Sequence, residues 1–245
     1  MNKVRQVKKP RISVIIPTYN EEKYITACLK SLVHQNTQTP FEIIVVDNNS
    51  TDRTSNIGKQ FGVRVIKENK QGRAFARNAG VKVALGSILA FSEADCVVPN
   101  NWITTINRTF REYPGIVGFS GSLLFSNAPF YCQLFGPAMI KFSSPLYKLF
   151  WGTHVFRGAN FAIRKSAINQ TSGFNSRAAP FDDMELSFRL SKIGPIAFLA
   201  DFYVTASDRR FRGRFLQTIT EFLNSYPRIF IFNLQGTDNL YQVIR

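Results

Sequence analysis

The residues of this chain best suited to chemistry are acids placed where a strand should end. Glu93 and Asp95 stand two apart in Ser92-Glu93-Ala94-Asp95, directly after the apolar run Ile88–Phe91. Bounded by Gly86 and Pro99, that run reads as a buried strand. Two carboxylates just past a buried strand are costly unless a cation compensates them. A hard divalent ion does so, taking oxygen ligands from one or two carboxylates and from substrate phosphates. An isolated acid-x-acid run is equally a solvated strand-end turn, so its surroundings must decide. Asp47 closes a second apolar run, Pro40–Val46, and heads the stretch Asp47-Asn48-Asn49-Ser50-Thr51-Asp52. Ser50, Thr51 or Asp52 alone would explain that stretch as a helix-capping turn. Asp182 and Asp183 precede Leu186, Leu190 and Ile193, which share a helical face, so both acids fall in a first turn, where the helix dipole favours them. Arg209, Arg210, Arg212 and Arg214 crowd one short window, and guanidinium forks match phosphate oxygens.

The elements needed to position these groups follow from hydrophobic patterning. Arg11–Asn20 reads as a first strand stopped by Pro17, and Thr18–Glu22 as the polar, acidic opening of a helix with Ile25, Leu29, Leu32 and Val33 on one face. Pro40–Val46 is a second strand, nearly all apolar as in a parallel strand covered on both faces. A helix to about Phe61, a third strand Val63–Ile66 and a helix Gly72–Leu85 lead into the central strand. A helix then runs to Tyr113, Gly115–Phe125 reads as an antiparallel strand, and Phe156–Lys165 as a further strand. Strands alternating with helices at these spacings predict a doubly wound α/β sheet. Asp47 and Asp95 then share its carboxyl edge, where ligands bind. Walker A and G-x-G-x-x-G motifs are both missing, which speaks against a P-loop NTPase and a dinucleotide fold.

Composition narrows the class. A chain of 245 residues, 44% hydrophobic, is long enough for one large domain. With 31 Lys+Arg against 16 Asp+Glu, a formal charge of +15 favours anionic partners without choosing among nucleotides, nucleic acid and a membrane face. Cys28, Cys96 and Cys132 lie far apart, which suggests neither a zinc site nor a disulfide framework and fits a reducing compartment. Met1–Arg11 carries five basic residues, but the apolar run behind it is cut by Pro17 and is too short for a signal peptide. The expected location is therefore cytoplasmic, soluble or peripheral on the cytoplasmic face of a membrane.

Four segments in order, SVIIPTYNEEKYI, IIVVDNNSTDRT, GRAFARNAG and AFSEADCVVPNNW, resemble the nucleotide-sugar half of family 2 glycosyltransferases. The resemblance implies a GT-A fold: a mainly parallel, Rossmann-like sheet flanked by helices, a smaller antiparallel acceptor-side region and a C-terminal helical segment. It divides the chain into a basic arm (1–10) and one catalytic domain (11–245), with a nucleotide-sugar half (11–113), an acceptor half (114–206) and a basic loop and helix (207–245). It implies that Pro17, Thr18 and Asp47 line the base and ribose pocket. Asp95, helped by Glu93, would hold magnesium or manganese. Glu93 replaces the family's usual Asp, and Cys96 stands where a further Asp often follows. Arg73, Arg77 and Asn78 fall near the diphosphate by the same analogy, although Arg77 reads equally as a surface residue or an internal ion-pair partner. FRGANFAIRK resembles the acceptor-side G-x-N strand. Asp182-Asp183-x-x-Leu-x-x-Arg-Leu matches the family's catalytic element, with Asp183 as the base and Asp182 or Glu185 as its substitute if the register shifts by a position. Arg209, Arg210 and Arg212 match a basic loop over the donor diphosphate. The implied activity is inverting transfer from a nucleotide-diphosphate sugar, UDP-hexose ahead of GDP-mannose, to a lipid-linked or glycan hydroxyl. The processive synthases' Q-x-x-R-W element is missing.

Two stretches keep two readings each. Ser126–Val155, apolar with only Lys141 and Lys148 as charges, is a buried insertion or a lipid-docking surface. Phe215, Ile219, Phe222, Leu223 and Tyr226 form the face of an interfacial or a core-closing helix, ahead of a polar tail. A nucleotidyltransferase would also use strand-end acids, but no Gly-rich triphosphate loop follows the first strand. A nucleic-acid-binding protein would explain the charge, yet its basic residues are dispersed and carry no recognition signature. Nucleic acid is not an expected partner.

Overall fold

Ile12–Ile16 is apolar at nearly every position, and a run covered on both faces belongs in the middle of a sheet. The computed structural model, which describes residues 9–126, 143–207 and 209, places it there. Strand β1 (Ile12–Thr18) lies between β2 (Phe41–Asp47) and β4 (Ile88–Phe91), parallel to both, with β3 (Arg64–Lys67) outside β2. The sheet then turns antiparallel: β7 (Phe161–Arg164) pairs with β4, and β6 (Gly118–Ser126) with β7. Beyond them lie β8 (Ile196–Ser207) and the short β5 (Cys96–Val97), giving eight strands among the described residues in the order β3-β2-β1-β4-β7-β6-β8-β5.

Alternation along β1 separates two cores. Ile12, Val14 and Ile16 pack with α1 (Ile25–Val33) and α4 (Trp102–Glu112) on one face. Ile15 faces α3 (Arg73–Val83) and α7 (Asp182–Ser191) on the other. Small residues bring α3 close to the sheet: a Cβ on Gly80 would stand 2.5 Å from Ile15 Cγ2. Because α3 and α7 share a face, Arg73 and Arg77 come within reach of Asp182. The remaining helices are α2 (Thr54–Gln60), α5 (143–151) and the single turn α6 (Lys165–Ile168).

Several elements differ from their sequence expectation. Pro17 does not stop β1. Thr18 bonds towards β2 through Asn48 N–H, so Pro17 faces the β4 side, where pairing already ends at Ile15 and no ladder N–H is missed. Helix α1 starts at Ile25, with no acid in its first turn. Glu21 and Glu22 are ion-paired instead, with Arg209 and Arg53. Strand β6 is antiparallel to β7 but parallel to β8, which follows β7 in the chain and runs opposite to it. The expected strand Phe156–Lys165 pairs only over Phe161–Arg164, and its first residues form a turn. Strand β8, with a register shift opposite Gly121/Ser122, has no counterpart in the sequence reading. Arg210, Arg212 and the expected C-terminal helix lie outside the described residues, as does much of 126–155.

Candidate active site

Arg73 and Arg77 stand one turn apart on α3, so their side chains leave the same face. Both reach Asp182 at the start of α7. Arg73 Nη2 lies 2.7 Å from Asp182 Oδ1, and Arg77 Nη1 lies 2.8 Å from Oδ2, so each carboxylate oxygen has its own guanidinium. Arg73 also donates to Pro180 O and Arg77 to Gly158 O. Arg77 is fully buried, beside the rings of Phe161 and Phe174. Burial pushes the Asp182 carboxyl up, but the charges and hydrogen bonds of Arg73 and Arg77 outweigh it and hold Asp182 below the ordinary aspartate range.

Asp183 is placed differently. It is 5% exposed, and its Oδ1 accepts the Met184 N–H at 3.0 Å. Burial is the largest influence on it, and the charge on Asp182 adds to burial. Together they exceed the opposing pull of Arg73, Arg77 and the Met184 N–H, so its carboxyl is raised. Gly158 leaves room in front of it: a Cβ there would stand 3.0 Å from Glu93 Oε1, 3.2 Å from Arg77 Nη2 and 3.2 Å from Asp183 Oδ2. One acid held charged beside another that binds its proton more tightly is the pattern of an acid–base site.

The two acids after β4 part company. Glu93 Oε1 sits 3.1 Å from Arg73 Nη1 and 3.6 Å from Arg77 Nη2, on the Asp182 side. Asp95 Oδ2 is 3.0 Å from Arg209 Nε, while the Nη atoms of Arg209 bond both oxygens of Glu21 at 2.6 and 2.8 Å. Burial, ahead of the influence of Asp95 and Glu93, raises the Glu21 carboxyl even against Arg209. A guanidinium on the Asp95 carboxylate shows that a cation fits against it, and all-oxygen donors suit a hard divalent ion. Among the described residues no three His, Cys, Asp or Glu side chains are grouped as a metal cage. A site completed by substrate phosphates does not require one.

At the carboxyl ends of β1 and β2, Thr18 pairs in register with Asp47, and both are buried. Thr18 Oγ1 donates to Val46 O, and Asp47 Oδ1 accepts the Ser50 N–H at 3.0 Å, closing the turn. Pro17 pairs with Val46 one step earlier. Pro17, Thr18 and Asp47 thus share one strand edge. Arg77, expected beside the diphosphate, is instead the internal ion-pair partner of the alternative reading. Glu21 carries no sequence signal for its place here, since it depends on Arg209 far along the chain, whereas Gly158 is the glycine of the G-x-N run. Asn160 of the G-x-N run is fully buried: its amide donates to Ser122 O and Phe202 O, and its Oδ1 accepts from Trp102 Nε1. It clamps β6, β8 and α4, while Gly158 faces the acids.

Residues 13–171 match the family model described as glycosyl transferase family 2. A curated relative from Methanococcus voltae, a dolichyl N-acetyl-α-D-glucosaminyl phosphate 3-β-D-2,3-diacetamido-2,3-dideoxy-β-D-glucuronosyltransferase, is 28% identical over 214 residues, covering 82% of this chain and 60% of its own length. The chain thus spans less than two thirds of the length of curated relatives that it matches. Among solved structures, a mannosyltransferase from Pyrobaculum calidifontis in complex with GDP-Man and Mn2+ superposes with a TM-score of 0.65 at 21% identity, covering 87% of this chain and 63% of that one. TarS 1-349 of S. aureus in complex with UDP-GlcNAc gives 0.62 at 23% identity, covering 80% and 58%. These likenesses show the GT-A fold.

Proposed function

Since the chain belongs to glycosyl transferase family 2, we propose that it transfers a sugar from a nucleotide-diphosphate donor to a hydroxyl of a lipid-linked or glycan acceptor, with inversion. The observation that carries this reading is the meeting of Asp183, Glu93 and Arg77 around Gly158, at the edge where Asp95 bears a cation. Asp183 takes the proton of the acceptor hydroxyl. The oxygen bonds to the anomeric carbon while the bond from that carbon to the nucleoside diphosphate breaks on the opposite face, so the configuration inverts. Arg73, Arg77 and Asp182 are positioning residues that hold the start of α7, and Glu93 ties them to the Asp95 side. Pro17, Thr18 and Asp47 border the base and ribose. Arg209, released from Glu21 and Asp95, with Arg210 and Arg212 beside it in sequence, faces the diphosphate and stabilises the leaving group. A magnesium or manganese ion on Asp95 would neutralise the departing diphosphate as a Lewis acid. UDP- and GDP-sugars, the donors bound by the two structural neighbours, are both candidates.

The test is steady release of a nucleoside diphosphate on incubation with a nucleotide sugar and a glycan or lipid-linked acceptor, alongside a screen of UDP- and GDP-sugars for protection against thermal unfolding. With manganese present and the cognate donor at about 100 times its Kd, the donor is expected to add about 2.7 kcal/mol, or roughly 5–10 °C in Tm. Asp95→Ala is expected to abolish the metal-dependent part of that shift. An undiminished manganese effect in Asp95→Ala removes the metal assignment, and protection by no nucleotide sugar removes the donor class.

The raised Asp183 carboxyl also sets a pH profile. A base works only when deprotonated, so kcat is expected to rise with pH through an acid limb above the ordinary aspartate range. A limb at or below that range at saturating donor would sink the assignment.

A further inference from the structure

Helix α5 (143–151) has one face against the protein and one with nothing on it among the described residues. Inward, Tyr147 packs with Val155, Met184, Phe181 and Phe188, so α5 lies directly on α7, the helix that carries Asp183. Outward, Leu146, Leu149 and Phe150 follow the i, i+3, i+4 spacing of one helical face. Leu149 is 76% and Phe150 70% exposed, and Trp151 leans over the rim, its ring 5.4 Å from that of Tyr147. Of the eight large apolar side chains exposed among the described residues, four lie in this one short helix. Clustering of that kind marks an interaction surface, unlike apolar residues scattered singly.

Charge selects the partner. From Tyr113 to Phe181 the chain holds six Lys and Arg and not one Asp or Glu, a bias steeper than that of the whole protein. Lys148 is exposed on α5 itself. Arg157 is held against the helix, with Nη2 2.8 Å from Ser143 Oγ and the guanidinium over the Tyr147 ring. Leu, Phe and Trp beside basic groups, on a helix that carries no acid of its own, form the pattern of a helix lying in the interface of an anionic membrane. No helix among the described residues is long and apolar enough to cross one.

We propose that the outer face of α5 docks on an anionic lipid bilayer. Docking sets α7 beside the membrane, where a lipid-linked acceptor would present its hydroxyl, a consequence that rests on the proposed function while the docking itself does not. The test is cosedimentation of the full chain with vesicles of phosphatidylcholine alone or with about one third phosphatidylglycerol. The parent is expected to bind the anionic vesicles, and raised salt to weaken that binding. The double variant Leu149→Ser, Phe150→Ser is expected to lose about tenfold or more in partitioning at unchanged Tm, since both side chains are mostly exposed. Lys148→Glu is expected to lose only the preference for anionic over neutral vesicles. A parent that ignores anionic vesicles, or a double variant that binds them as the parent does, overturns the proposal. So does a parental dimer in solution that the double variant dissolves, because a second copy would then own this face. Because no transfer is measured, failure of the glycosyltransferase reading and failure of docking are distinguishable.

Discussion

Asp183→Asn is expected to lower kcat by about 10²–10⁴-fold, the usual contribution of a positioned general base, while donor binding stays close to parental. Few substitutions isolate chemistry from architecture so well. Asparagine keeps the Oδ1 that accepts the Met184 N–H, so the first turn of α7 is preserved. It also removes a charge that the fold opposes: the Asp183 carboxyl is raised, so its ionised form weakens the native state above the ordinary aspartate range. The variant is therefore expected to be at least as stable as the parent at neutral pH. Lost turnover with an unchanged or higher Tm and an unchanged thermal shift by donor is the full signature. Parental turnover in Asp183→Asn ends its assignment as base, and the neighbouring acids would then need testing in turn.

Arg77→Ala carries the largest expected effect on stability. Asp182 is 1% exposed and keeps its charge because two guanidiniums divide its oxygens. Removing Arg77 leaves Oδ2 without that partner and opens space beside Phe161 and Phe174. Breaking one side of a buried pair costs about 3–5 kcal/mol, or roughly 6–20 °C in Tm for a chain of this size. The pH dependence has a definite sign. The folded Asp182 carboxyl lies below its unfolded value, so its stabilisation is present above the ordinary aspartate range and fades as pH falls through the lowered folded value. The difference between parent and Arg77→Ala is expected to be widest at neutral pH and to shrink in acid. The double variant Arg77→Leu, Asp182→Leu should recover part of the loss, since no buried charge is then left unpaired. A single variant that melts with the parent would show that Arg73 alone satisfies Asp182.

These two predictions separate the two adjacent acids of α7 by role. Asp182 is a structural anchor whose charge the fold stabilises, and Asp183 is a group whose charge the fold resists. An adjacent pair with opposed surroundings lets one scaffold keep one carboxylate charged while the other holds its proton more tightly. Glu93 extends the same network back to the end of β4, so Glu93 and Asp182 are joined through Arg73 and Arg77. The longer reach of Glu, compared with the family's usual Asp at this place, suits that span.

What the sequence determined by itself is local. Apolar runs at Ile12–Ile16, Pro40–Val46 and Ile88–Phe91 name the buried strands, and a polar break after each names the edge where Asp47 and Glu93–Asp95 must stand. Periodicity of two or 3.6 residues is a property of neighbours along the chain, so it can be read without coordinates. The helix carrying Asp182 and Asp183 was legible for the same reason. Everything about partners was not. Arg73 meets Asp182 109 residues away, and Arg209 meets Glu21 across 188. Glu21 and Glu22 looked like the charged start of a helix because only the fold brings Arg209 and Arg53 to them. Strand β8, left unassigned by the sequence reading, does carry a local signal: Phe202, Val204 and Ala206 are buried and alternate with exposed Tyr203 and half-buried Thr205. Whether an acid is an anchor, a base or a cation holder depends on burial and on which charges surround it. Both follow from packing α3 and α7 on one face of the sheet, beside the end of β4, and that packing exists only once the chain has folded.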